Sequence, residues 1–195
     1  MPVEKSAAVF LDRDGTLVRD VGYLSRPDQI EIVPRGPEAL KLLRQNGLKI
    51  VVVTNQSGVA RGMLSEQELC NIHAAIIDSL ALNGAKVDAI YYCPHHPTEG
   101  LGRYRVACAC RKPNTGMVRQ AARELRLDLG ASYVIGDQAI DMELAARAGA
   151  KGVWIEGGSG FGQEAPPACR FVAADLWQAA EWVVGNLELD RRAEG

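Results

Sequence analysis

The chain has no apolar run approaching the roughly 20 residues that a membrane-spanning helix needs. It has little excess charge of either sign. Its 22 Lys and Arg stand against 24 Asp and Glu, a formal −2 at pH 7, so neither nucleic acid nor an anionic membrane is expected as a partner. Met1 to Ser6 contain no apolar leader, and a cytoplasmic location is expected. Internal repeats and domain linkers are absent as well. The 195 residues, 47% of them apolar, are therefore expected to form a single domain over 1–195, acting as a monomer. In that compartment the five cysteines read as thiols or metal ligands rather than disulfides.

What the chain does have is alternation. Apolar runs at Ala7–Leu11, Leu48–Val53, Ala89–Tyr92, Tyr133–Asp137 and Gly152–Ile155 read as buried strands. Helical patterns separate them. One opens at Gly36-Pro37 and closes at Gly47, and one follows the capping box Ser65-Glu66-Gln67-Glu68 with Leu69, Ile72, Ile76 and Leu80 on one face. A third runs from a Thr115 cap through Arg126, a fourth from about Ala139 to Gly149, and a last from Leu176 to Leu187. The expectation is an α/β fold, a doubly wound, mostly parallel, Rossmann-like sheet. The segment 13–34 is long for a plain connection and reads as functional. Gly157-Gly158-Ser159-Gly160 reads as a flexible loop, Cys70 as a small buried residue, and His73, beside the apolar stripe, as structural or exposed rather than catalytic.

The chemistry sits where strands end. Ala7–Leu11 stops abruptly at Asp12, with Asp14 two residues on and Gly15 after it. Ligands of open α/β sheets bind at such carboxyl ends. A carboxylate is a nucleophile for phosphoryl transfer, so Asp12 can attack and Asp14 can move the proton. Attack of an anion on a phosphate dianion calls for a hard divalent cation, Mg²⁺. Thr54 and Asn55 end the second strand and can hold phosphate oxygens, while Arg111 and Lys112 supply positive charge. Asp137 offers Mg²⁺ a second carboxylate, and Asp141, one turn later, can orient Lys112 or a metal-bound water. Separately, Cys93-Pro94-His95-His96 and Cys108-Ala109-Cys110 place three thiols and a histidine, His95 or His96, around one short loop. That set suits a closed, structural, tetrahedral Zn²⁺.

Together, Asp12-Arg13-Asp14-Gly15-Thr16, Thr54, Lys112 and Gly136-Asp137 with Asp141 resemble the four motifs of the haloacid dehalogenase superfamily of phosphotransferases, over roughly 7–155. The resemblance implies Asp12 as nucleophile and Asp14 as general acid and base. It also implies Thr54 and Lys112 on the phosphate, and Mg²⁺ held by Asp12, Asp137 and the backbone carbonyl of Asp14. The spacers leave no room for a large cap domain, so loops must choose the substrate. The cysteine loop, with Thr54-Asn55-Gln56-Ser57-Gly58 and Cys110-Arg111-Lys112-Pro113, narrows the resemblance to the heptose-bisphosphate phosphatases. Histidinol-phosphate or another small-metabolite phosphatase is the alternative.

By that resemblance the substrate is a phosphorylated sugar that loses its C7 phosphate. His95 joins Cys93, Cys108 and Cys110 on Zn²⁺. Asp20, Val21, Gly22, Tyr23, Thr54, Asn55, Gln56, Ser57, Arg111, Lys112 and Gln138 face the substrate. Many relatives carry Lys where this chain has Gln138, which removes a charge at that point. Arg103 and Arg105 are either further phosphate contacts or solvated loop charges.

Overall fold

The computed structural model describes residues 5–158 and 164–193. Residues 159–160 of the expected glycine-rich loop lie outside them. Six parallel strands form one sheet in the order β3-β2-β1-β4-β5-β6. They are β1 Ala8–Leu11, β2 Lys49–Asn55, β3 Ala89–Cys93, β4 Tyr133–Gly136, β5 Lys151–Ile155 and β6 Cys169–Ala173. The helices are α1 Gly36–Gln45, α2 Ser57–Ala60, α3 Glu66–Leu82, α4 Gly116–Glu124, α5 Ala139–Ala148 and α6 Leu176–Ala193.

Strand periodicity sorts the side chains into two layers. In β1, Val9 and Leu11 join one core with Leu40, Leu43, Leu69, Ile72, Ala179 and Val183, from α1, α3 and α6. Ala8 and Phe10 point the other way, to Met117, Val118, Leu144 and Ala145 from α4 and α5. All four residues are fully buried, as a parallel strand covered on both faces requires. From β1 the sheet builds outward in both directions, first through β2 and then through β4. The crevice of such a sheet opens where the order reverses, beyond the carboxyl ends of β1 and β4.

The segment 13–34 is folded, not structureless. Val33 N–H donates to Leu17 O at 3.1 Å and Arg19 N–H to Glu31 O at 2.9 Å. Residues 27–29 form a short 3₁₀ turn. Three sequence expectations need correction. Thr115 stands at the N-terminus of α4 but makes no side-chain capping bond. That helix stops at Glu124, because Arg126 adopts a left-handed φ of 54°. Cys70 is exposed, since it lies off the apolar face of α3.

The Ser65 box is formed on both sides. Glu68 N–H donates to Ser65 Oγ at 3.2 Å, and Ser65 N–H donates to Glu68 Oε2 at 2.7 Å. Ser65→Ala removes one side of it, and we expect a loss of about 1 kcal/mol in urea unfolding with turnover unchanged.

Candidate active site

Asp12 lies one residue past β1, and its N–H donates to Ile135 O at 3.0 Å. Its carboxylate therefore sits at the β1–β4 crevice. Asp137 follows β4 directly, and Asp141 comes from the first turn of α5. One carboxylate oxygen from each of the three lies within 4.8 Å of the others. All three residues are buried.

Close backbone approach makes this possible. Gly15 has a φ of +77°, and a Cβ there would stand 2.2 Å from Asp137 Oδ2. A Cβ on Gly136 would stand 2.4 Å from Asp141 Oδ2.

Lys112 is the counter-charge. Its ammonium donates to Asp12 at 2.8 Å and to Asp141 at 2.7 Å, with 1% of the side chain exposed. Its own backbone is gripped by Asn55. Lys112 N–H donates to Asn55 Oδ1 at 2.9 Å, and Asn55 Nδ2 donates to Lys112 O at 3.2 Å. Burial opposes the Lys112 charge, but Asp12 and Asp141 outweigh it and hold its pKa above the ordinary value. For Asp12 the balance goes the other way. Burial, with Asp141 and Asp14 adding to it, overcomes Lys112 and lifts its pKa from 3.8 to about 7.

Three buried carboxylates around the Lys112 ammonium are costly to ionise together in a desolvated site. The donors are hard oxygens, and the set fits a divalent cation such as Mg²⁺. Thr16 Oγ donates to Asp137 at 3.4 Å, orienting that carboxylate.

A cleft of about 220 Å³ opens above the acids. Asp12, Asp14, Asp20, Gly22, Tyr23, Thr54, Asn55, Gln56, Ser57, Arg111, Lys112 and Gln138 all line it. Val21 does not. It is 46% exposed, directed to solvent by the turn in which Gly22 N–H donates to Asp20 Oδ1. Several lining side chains also bond within the protein. The Asn55 amide spends one N–H and its oxygen on the Lys112 backbone. Gln56 donates to Asp14 at 2.9 Å and to Thr54 Oγ at 2.8 Å. Leu24, Gly58, Leu64 and Ile140 complete the wall. Nothing in their chemistry flags them in a sequence. Arg103 lies outside the cleft, exposed and paired with Glu66 at 3.3 Å.

The second cluster lies at the end of β3. Sγ of Cys93, Cys108 and Cys110 are 3.1–3.4 Å apart, too far for a disulfide bond of about 2.05 Å. His95 Nδ1 is 3.7 Å from Cys93 Sγ and 3.4 Å from Cys110 Sγ. The spacing is slightly tighter than the roughly 3.8 Å between sulfurs on a tetrahedral Zn²⁺, and the donor set fits that ion. His96 is turned away, accepting from Glu99 N–H at 3.0 Å. The cluster connects to the cleft through Arg111, whose guanidinium donates to His95 O at 3.0 Å.

Known proteins resemble this chain in sequence and fold. A profile of the HAD-hydrolase-like family matches residues 109–179. The chain is 40% identical over 182 residues to a D-glycero-beta-D-manno-heptose-1,7-bisphosphate 7-phosphatase of Yersinia pestis, covering 92% of this chain and 90% of that one. It is 41% identical over 177 residues to the Escherichia coli K12 protein of the same name, covering 88% and 92%. It superimposes with a TM-score of 0.79 on the D,D-heptose 1,7-bisphosphate phosphatase of B. bronchiseptica, crystallised with magnesium and phosphate. That pair is 35% identical and covers 92% and 99% of the two chains.

Two predictions follow from the charges and the thiols. The native state holds the Asp12 proton more tightly than the unfolded chain between pH 3.8 and about 7. Metal-free stability from this group is therefore full below that window and is lost as pH rises through it. Mg²⁺ should accordingly raise the Tm more at about pH 8 than at about pH 5 in thermal-shift assays, and equal shifts would contradict this. Cys108→Ser should strip about one zinc per chain by elemental analysis and lower the Tm by roughly 10 °C.

Proposed function

Because the chain belongs to the haloacid dehalogenase-like heptose-bisphosphate phosphatases, we propose that it hydrolyses the 7-phosphate of D-glycero-D-manno-heptose 1,7-bisphosphate. The convergence of Asp12, Asp137, Asp141 and Lys112 at one end of the sheet carries this reading. Asp12, Asp137 and the Asp14 backbone carbonyl would hold Mg²⁺. When bound, that ion neutralises the carboxylates and draws negative charge from the phosphoryl oxygens.

The residues of the chain perform the reaction in two displacements. A carboxylate oxygen of Asp12 forms a bond to phosphorus as the bond from phosphorus to the sugar oxygen breaks. The electron pair stays on the sugar oxygen, which takes a proton from Asp14. Asp14, now a carboxylate, removes a proton from water as that water attacks phosphorus. The bond to Asp12 breaks, its electrons return to the Asp12 carboxylate, and inorganic phosphate leaves. Lys112 offsets charge on the phosphoryl group, and Thr54 holds one of its oxygens.

Arg111 faces the cleft beside Lys112, and a guanidinium suits a bisphosphate better than a lysine because it can grip two oxygens at once. Gln138 contributes a neutral amide there. Zn²⁺ at Cys93, His95, Cys108 and Cys110 would pin the loop that orients Arg111. The chain is read as one domain acting as a monomer, since its own residues complete the cleft. A reducing cytoplasm suits three free thiols in one metal cluster.

The test is phosphate release from heptose bisphosphate and from histidinol phosphate at equal enzyme, with and without Mg²⁺. Turnover should need Mg²⁺ and favour the heptose. Asp12→Asn should lower kcat more than ~10³-fold with the Tm retained. Preference for histidinol phosphate would overturn the substrate, and an active Asp12→Asn protein would overturn the mechanism.

A further inference from the structure

Arg13 lies between the two acids of the first loop, and only 1% of it is accessible. It cannot touch a substrate. A buried guanidinium is expensive, and replacing a buried ion pair by apolar residues is often neutral or stabilising. Its retention therefore calls for a use.

Its hydrogen bonds indicate one. Arg13 Nε donates to Asp14 Oδ1 at 3.0 Å, and a terminal nitrogen donates to Asp14 Oδ2 at 2.9 Å. This is the two-pronged grip that fixes a carboxylate in plane as well as in place. The same nitrogen donates to Gln56 Oε1 at 2.9 Å, and Gln56 Nε2 donates back to Asp14 Oδ2 at 2.9 Å. The other terminal nitrogen lies 3.3 Å from His73 Nε2, deep on α3. Burial and the neighbouring guanidinium push the His73 pKa down to about 3. Its ring is therefore neutral and can accept from Arg13, which has only donors.

We propose that Arg13 is a positioning residue for proton transfer: with His73 as its anchor on α3 and Gln56 as a brace, it fixes the Asp14 carboxyl toward the leaving oxygen. Asp14 Oδ2 accepts two of these bonds and Oδ1 one, so both oxygens are held in place. Asp12 and Lys112 are held by a separate set of contacts. Loss of Arg13 therefore impairs Asp14 and leaves the nucleophile in place. The inference rests on the phosphatase reading above and adds Arg13, His73 and Gln56 to it.

Leaving-group chemistry supplies the test. An alkyl phosphate such as the heptose ester expels a strongly basic oxygen and needs the Asp14 proton, whereas p-nitrophenyl phosphate expels a weak base and needs it little. The ratio kcat/KM reports only steps up to that departure, so slow hydrolysis of the aspartyl-phosphate does not enter it.

Arg13→Met should lower kcat/KM for the heptose ester about 100-fold, within the usual worth of a general acid, and for p-nitrophenyl phosphate less than about 5-fold. His73→Leu should show the same selectivity more weakly, and His73→Gln, which restores an acceptor, should recover much of it. Arg13→Lys, which keeps the charge without the fork, should fall between. If Arg13→Met does not fold, the His73 pair and Arg13→Lys decide. Equal losses on both esters, or none on either, would overturn the proposal. If wild-type enzyme ignores the heptose ester but cleaves another alkyl phosphate, the substrate reading falls and this proposal is judged on that ester.

Discussion

The site rests on one electrostatic constraint: three carboxylates are forced together at the β1–β4 crevice with a single buried ammonium among them. Alone, the arrangement costs the fold free energy. Burial lifts Asp12 toward neutrality despite the lysine at 2.8 Å. A divalent cation would turn the same arrangement into an asset, because it would supply positive charge and favour the ionised form of Asp12. The glycines follow from this. Gly15 and Gly136 have no side chain because a carboxylate already fills the space.

Lys112 must be placed as accurately as the acids, yet it comes from a segment with no regular structure of its own. Two devices outside the lysine supply the accuracy. The Asn55 amide holds both sides of its backbone from the end of β2. The thiol loop at the end of β3 holds the preceding residue through the bond from Arg111 to His95 O. A metal at that cluster would act on the cleft from outside it, through the Arg111 bond to His95 O. It would staple a loop with little core of its own, and the loop carries the cations.

Much of this was legible in the chain. Apolar runs that end in polar groups located β1, β2, β4 and the residues after them, because burial on both faces of a parallel sheet leaves a nearly unbroken apolar signature. The thiol cluster was legible because sulfur ligands are scarce and their spacing is short. Hydrogen-bond direction was not. Asn55 reads from the chain as a group for phosphate, and its clamp on the Lys112 backbone shows only in the fold, because only the fold shows which groups lie opposite. The Thr115 cap failed for the same reason. Arg13 and His73 were illegible as a pair. They stand 60 positions apart, and a basic residue between two acids reads as simple charge compensation.

Asp141 shows how local and distant demands meet in one side chain. Its Oδ2 accepts from Gln138 N–H at 3.2 Å, satisfying a donor at the open start of α5. Its Oδ1 accepts from Lys112 at 2.7 Å. The first bond is local and sets where the carboxylate sits relative to β4, since α5 begins at Ala139, with only Asp137 and Gln138 between it and Gly136. The second spends that position on the lysine. The start of α5 thus places Asp141 beside β4, while Asn55 places the Lys112 backbone from β2. In a site whose charges balance only at short range, a carboxylate tied through one oxygen to its own helix start and through the other to the lysine links the two elements.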